Sequence, residues 1–312
     1  MPKPLISVII PHLNQEDHLQ RCLTSLGVQR EERAGEGALF PIEIIVVDNG
    51  STRLPDQIIS QFKDTQLLQE PTPGPGPARN RGVVAAKGEL LAFIDADCLA
   101  HEDWLRVIAR TFEDDPEVTV FGGDVRIALV DQAKPTDIEA YESVFAYRQQ
   151  EYIQKQGFSG TGNLAMRRET YDKVGTFAGI EIAEDRDWGH RATALGIKIQ
   201  YISGMIVYHP ARASFGDLVT KWDRHISHDY DQYAGSIRGK LRWLVLIPAL
   251  AVSPLWEFFR IAKSHRINTF RERCLAGIVV TKIRIYRSVR MVTLLFKGKD
   301  SPASARWNRD SE

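Results

Sequence analysis

A chain of 312 residues, 43% of them hydrophobic, can bury a full core, most simply as one domain of about 200 to 250 residues with an appendage. Three scattered cysteines, Cys22, Cys98 and Cys274, exclude a disulfide framework and a cysteine-based zinc site, and fit reduced thiols in a cytosolic protein. The 40 basic and 40 acidic side chains cancel only in sum: residues 1–237 hold 24 Lys+Arg against 35 Asp+Glu, whereas residues 238–299 hold 14 against 2.

Met1-Pro2-Lys3-Pro4 runs straight into a strand-like segment, without the basic stretch, long apolar stretch and cleavage site of a secretory leader, so the globular part is expected in the cytoplasm. Ile6 to Ile10 is a β-branched run ended by Pro11, and Asn14 offers an N-cap to a helix carrying Leu19, Cys22, Leu23 and Leu26 at helical spacing. Gly27 to Pro41 has the composition of an exposed loop. A second strand, Ile42 to Val47, closes in Asp48-Asn49-Gly50-Ser51. A short helix around Gln57 to Phe62, the pair Leu67-Leu68, a Pro/Gly loop from Pro71 to Pro77 and a helix from Ala78 to Lys87 lead into a third run, Glu89 to Ile94. This βαβαβ order predicts a parallel sheet with helices on both faces, whose ligands gather beyond the carboxyl ends of the strands. A dinucleotide-binding domain is disfavoured, because His12-Leu13-Asn14-Gln15 stands where a Gly-x-Gly-x-x-Gly turn belongs, and no Gly-Lys-Ser/Thr phosphate loop occurs.

Asp95-Ala96-Asp97 follows the third run, and alternation sends residues 95 and 97 to one side. Paired carboxylates at a strand end suit Mg²⁺ or Mn²⁺ completed by phosphate oxygens, although a plain polar loop has the same composition. Farther on, Phe158 to Arg168 forms a Gly-rich turn entering a strand, with a helix starting near Glu169. A helix from Asp185 to Leu195 turns Trp188, Ala192 and Leu195 inward and keeps Asp185 in its first turn, where the helix dipole favours an ionised carboxylate. Tyr201 to Tyr208 is another strand, ended by His209-Pro210, and Lys221, Trp222 and Arg224 lie on a following helix.

From Ile6 to His209 these motifs, in this order, resemble the family 2 glycosyltransferases, whose GT-A fold is a Rossmann-like α/β mixed sheet flanked by helices. The resemblance implies a nucleotide-binding half over about 1–100 and an acceptor-binding half over 101–237. Glu43 to Ser51 is similar to the family's second strand, which implies that Asp48 accepts a hydrogen bond from the base, near Pro11 and Asn14. Pro77-Ala78-Arg79-Asn80-Arg81-Gly82 is similar to its basic segment, placing Arg79 and Asn80 near base or diphosphate. Gly162 and Asn163 belong to the acceptor-side segment. Glu184-Asp185 resembles the motif whose aspartate is the general base, with Glu184 and Trp188 beside the substrate. Asp97, Asp95 and His209 become the ligands of Mn²⁺ or Mg²⁺, and Arg224 steadies the leaving diphosphate. The implied reaction is inverting, metal-dependent transfer from a nucleotide-diphosphate sugar to an acceptor hydroxyl on a lipid-linked glycan or growing polysaccharide. Singly, Asp48 could cap a turn, Arg79 could be a solvated helix residue, Glu184 and Asp185 helix-start acids, and His209 a surface residue. A nucleotidyltransferase lacks its usual basic Gly-rich loop here, and a non-catalytic nucleotide-sugar binding or scaffolding protein of the same fold is opposed by the intact acids.

Residues 238–299 are a basic, apolar helical extension, and 300–312 are expected to be a flexible tail. Trp243 to Phe259 is apolar for 17 residues but interrupted by Pro248, Pro254 and Glu257, at the lower margin for crossing a bilayer. Arg260 to Lys299 mixes cations with Ile, Val, Leu, Phe and Tyr, as in a helix lying on an anionic membrane. The expectation is a protein peripheral on the inner face of the cell membrane. A docking or homo-oligomerising helix pair is the rival, and nucleic acid is not expected because no recognised module accompanies the charge.

Overall fold

The computed structural model describes residues 6–31, 41–233 and 236–297. The expected tail at 300–312 and most of the expected loop at 27–41 lie outside them. Two compact units emerge, the first formed by residues up to 128 with 147–210, the second by 129–146 with residues from 211 onward.

The first unit opens with β1 (Ile6–His12), α1 (Glu16–Glu31), β2 (Ile42–Asp48), α2 (Asp56–Ile59), β3 (Thr65–Gln69), α3 (Pro75–Ala85) and β4 (Leu90–Ile94). Helix α1 runs through Gly27 to Glu31, beyond the expected loop start, because Gln29 is buried and its Oε1 accepts the Leu105 N–H at 2.9 Å. Asn14 is not its N-cap: its φ is 48°, and its side-chain oxygen accepts two hydrogen bonds from Thr52 instead. Then come β5 (Leu99–Ala100), α4 (Trp104–Asp114) and β6 (Val120–Ala128). After α5 (Asp137–Phe145), which belongs to the second unit, the first resumes with α6 (Gln149–Glu151), a π-helical turn (Tyr152–Gln156), β7 (Asn163–Arg167), α7 (Arg168–Val174), α8 (Glu184–Ala194) and β8 (Gln200–Pro210).

The strands form one mixed sheet in the order β3-β2-β1-β4-β7-β6-β8-β5. The four N-terminal strands are parallel, β7 is antiparallel to both β4 and β6, and β8 is parallel to β6 with a register shift between Gly123 and Asp124. Strands covered on both faces need apolar residues at every position rather than at alternate ones. Strand β1 shows it: Ile6, Val8 and Ile10 pack with Leu19, Leu23 and Leu26 on one face, whereas Ile9 joins Phe93, Phe177 and Trp188 on the other.

The second unit combines α5 with α9 (Phe215–Tyr233), α10 (Ile237–Val252), α11 (Pro254–Lys263) and α12 (Phe270–Lys297). Thr136 and Glu139 cap α5 reciprocally, and Ile138, Tyr141 and Val144 pack with Val279, Val280 and Ile283 of α12. Segments 129–146 and 211–233, expected within the acceptor half, therefore pack with the C-terminal helices, because the apolar faces of α5 and α9 are covered by α12.

Candidate active site

The carboxyl ends of β1 and β2 meet through His12 and Asp48, in register across the strands and both buried. The Gln15 N–H donates to His12 Nε2 at 3.2 Å, which leaves the ring proton on Nδ1, 3.1 Å from Asp48 Oδ1. Asp48 Oδ2 accepts from the Gly50 and Ser51 N–H groups, both at 3.1 Å. Burial opposes the Asp48 charge, but the bonds from His12 and Ser51 outweigh it and hold the carboxyl below its ordinary range. Both oxygens of Asp48 are thus engaged within the chain, and the residue braces the 49–51 turn instead of presenting a free carboxylate. Asn49 extends the brace by donating to Glu70 and Thr72 carbonyls and accepting the Gly74 N–H. Pro11 is half-buried opposite Val47, and Asn14 ties the end of β1 to Thr52.

One guanidinium links the next two elements. Arg79, 3% exposed, donates from Nη2 to Asp95 Oδ1 at 2.6 Å and from Nη1 to Glu184 Oε1 at 2.8 Å. Burial disfavours its charge, but the two carboxylates more than compensate and keep the cation protonated. Arg79 therefore connects the end of β4 to the first turn of α8. Gly162 completes the arrangement, since a Cβ there would collide with Asp95 Oδ2.

Three expected ligand contacts are structural. Asn80 Oδ1 accepts from Tyr171 Oη and the Phe177 N–H, and its amide donates to the Phe177 carbonyl. Asn163 is fully buried, donating to the Asp124 and Met205 carbonyls and accepting from Trp104 Nε1. Trp188 is 1% exposed in the core, its Nε1 donating to the Gly175 carbonyl. For Asn163 and Trp188 burial made the polar group a core fastener, because an unpaired polar group there is costly, whereas half-buried Asn80 ties α3 to the 177 backbone.

Asp97 and His209 face one another, Oδ2 to Nε2 at 3.2 Å. His209 Nδ1 donates to the Pro210 carbonyl at 2.7 Å, directing Nε2 at Asp97. Burial penalises both charges, but the bond between the residues lowers Asp97 and raises His209. Adjacent ligands of an octahedral cation, each about 2.1 Å from it, stand about 3 Å apart, so this pair has the spacing and donor chemistry to hold Mg²⁺ or Mn²⁺. Asp95 is directed at Arg79 instead. Cys98 has its Sγ near both ligand atoms, and burial and the neighbouring aspartates push its thiol well up, so without a cation it is a neutral thiol. Tyr147, which lies in no recognisable motif, places its hydroxyl 3.0 and 3.1 Å from the His209 ring nitrogens. Its φ of 47° is a strained value for a non-glycine residue.

Asp185 occupies the first turn of α8, half-buried, its Oδ1 accepting the Arg186 N–H at 2.7 Å. Its pKa is raised, first by burial and then by the Glu184 charge, opposite to the direction expected from the helix dipole alone. A carboxylate so placed is a better proton acceptor. Arg224 lies exposed on α9 in the second unit.

Residues 7–175 match the model of glycosyl transferase family 2. The chain belongs to this family. Glycosyltransferase AglE of Haloferax volcanii is 32% identical over 224 residues, 70% of each chain. The pre-mycofactocin glycosyltransferase of Mycobacterium tuberculosis is 25% identical over 225 residues, which are 69% of this chain but 45% of that one. Two further relatives are matched over 34% and 52% of their own lengths. Among solved structures, the mannosyltransferase PcManGT of Pyrobaculum calidifontis, in complex with GDP-Man and Mn²⁺, superposes with a TM-score of 0.54 at 18% identity, covering 95% of this chain and 87% of that one. TarS of S. aureus, in complex with UDP-GlcNAc, gives 0.51 at 18% identity over 94% and 76%. At such identities the likeness is one of fold, and the fold is that of these glycosyltransferases.

Proposed function

We propose that this family 2 glycosyltransferase moves a sugar from a nucleotide-diphosphate donor to an acceptor hydroxyl, with inversion and with a divalent cation held by Asp97 and His209. The acceptor class is a lipid-linked glycan or growing polysaccharide. The observation that carries this reading is the Asp95–Arg79–Glu184 ion-pair chain, which fixes the cation corner at the end of β4 against the helix start that bears Asp185. The donor complexes named for PcManGT and TarS support the donor class.

Asp185 accepts the proton of the acceptor hydroxyl as that oxygen forms a bond to the anomeric carbon. The anomeric carbon–oxygen bond to the diphosphate breaks, and its electron pair leaves with the diphosphate. When bound, the cation supplies the positive charge that offsets the developing negative charge on that leaving group. Arg79 and Gly162 hold Asp95 in place, and the saturated Asp48–His12 corner shapes the loop that receives the nucleotide. A single displacement with one base needs no carboxylate nucleophile, so the configuration inverts.

A panel of nucleotide sugars in thermal-shift assays, with and without Mn²⁺, tests the reading. At a hundredfold excess over Kd a donor adds about 2.7 kcal/mol, or about 5 to 10 °C for a cooperative unit of the first unit's size. Asp97→Ala is expected to abolish the Mn²⁺-dependent part of that shift. A full shift in the variant removes Asp97 from the cation site.

A further inference from the structure

The second unit leaves the outer faces of α10 and α11 uncovered. On α10, Leu241, Leu244 and Val245 are 57%, 54% and 69% exposed, and on α11, Leu255, Trp256 and Phe259 are 69%, 80% and 63% exposed. The α10 residues stand at i, i+3 and i+4 and the α11 residues at i, i+1 and i+4, and an apolar stripe of this kind marks a helix face that is meant to be covered. Among the described residues no single helix is long and apolar enough to cross a membrane, and the α10–α11 pair, bent by 52°, passes that test only in combination.

The inner face of the pair opposes a crossing. Trp243 packs with Met291 and Leu294 of α12, and Ser288 of α12 donates to the Ile247 carbonyl. A crossing α10 would thus carry the cations of α12, Arg284, Arg287 and Arg290, toward the bilayer centre, where such side chains are expensive. A shallow position keeps them clear of the hydrocarbon, in their contacts with Glu257, Trp222 and Asp223.

Charge selects the occupant. Along residues 237–263 the cations Arg238, Lys240, Arg242, Arg260 and Lys263 flank the apolar stretch on both sides, and the only acid, Glu257, pairs with Arg260 and Arg284. A second copy of the chain on this face would oppose cations to cations. A cavity of about 590 Å³ beyond the α10–α11 bend is lined by Trp256, Phe259, Arg260, Lys263, His265 and Arg266, together with Glu257, whose carboxylate is taken up by Arg260 and Arg284. Cations beside aromatic rings match a phosphate headgroup lying above its acyl chains.

We propose that the α10–α11 elbow is an in-plane wedge that enters one leaflet of an anionic bilayer, with the basic cavity at its end receiving lipid phosphate. The test is flotation of the full-length chain with vesicles of phosphatidylglycerol and phosphatidylcholine, and with phosphatidylcholine alone, beside measurement of its mass in solution. The wild type is expected to float with the anionic vesicles and to be released by high salt. The double variant Trp256→Glu, Phe259→Glu is expected to bind at least about tenfold less at an unchanged melting temperature, since both side chains already face solvent. Lys263→Glu with Arg266→Glu is expected to remove the preference for anionic over neutral vesicles. Flotation of the Trp256/Phe259 variant equal to wild type overturns the proposal. So does a wild type that stays with the soluble fraction as a dimer which the same variant splits, because a second copy then covers the face. Inorganic phosphate that protects the chain thermally without any flotation also overturns it, leaving a phosphate site that no membrane uses.

Discussion

Asp185→Asn is expected to lower the rate of sugar transfer by about 10²- to 10⁴-fold, the usual contribution of a positioned general base, while donor binding stays essentially that of the wild type. The amide keeps the shape of the carboxylate and loses only its basicity. Because Asp185 titrates above its ordinary value of 3.8, through burial and then the charge of Glu184, the wild-type rate falls as pH drops through that raised pKa. The acidic limb therefore lies higher than for a solvated aspartate. Linkage gives the stability sign: a carboxyl whose folded pKa exceeds its unfolded one favours folding in its protonated form, and that contribution is lost as pH rises through the folded value. At neutral pH the wild type thus holds a charge that burial and Glu184 oppose. The Asn variant should melt no lower than the wild type, in the manner of active-site residues kept at some cost in stability. Single-turnover transfer, donor titration and melting curves on one preparation check all three. Loss of donor binding in parallel with transfer would reassign Asp185 to the binding of the sugar nucleotide.

Much of the first unit could be read from the chain because buried parallel strands announce themselves as unbroken apolar runs. Strands β1, β2 and β4 are such runs, and their polar ends carry the corner residues Asp48, Asp95 and Asp97. The helix bearing Asp185 was legible from Trp188 and Ala192 at helical spacing, whereas Leu195, expected inward with them, is 49% exposed just past the helix end. Contacts between segments distant in sequence were not. Nothing local distinguishes Asn163, sealed between Trp104 and two carbonyls, from an amide presented to a sugar. Arg79 has the composition of a ligand-facing cation, and only the approach of residues 95 and 184, 16 and 105 positions away, makes it a buried link. Helix α4 did carry a usable signal, since Trp104, Leu105, Ile108 and Phe112 form one buried stripe. Tyr147 carried none: its place over His209 depends on where the chain re-enters the first unit after α5.

Arg79→Met should have the largest effect on stability. Removing one member of a buried ion pair costs about 3 to 5 kcal/mol, and Asp95 and Glu184 would be left repelling each other without their shared cation. The Asp95 side chain is 36% exposed and that of Glu184 16%, so water relieves part of the repulsion and the lower end, about 3 kcal/mol, applies. For a cooperative unit of the first unit's size that is a fall of about 6 to 12 °C in melting temperature. A second substitution separates architecture from chemistry. Glu184→Gln in the Arg79→Met background removes one uncompensated charge and should recover part of the lost stability, a non-additivity that a double-mutant cycle reads directly. Transfer should not recover with it, because the link between the end of β4 and the start of α8 is still absent and a small misplacement of a base is enough to cost about a hundredfold in rate. If the double variant regains activity along with its melting temperature, Arg79 serves only as a counter-charge, and the spacing between Asp97 and Asp185 must be set by other contacts.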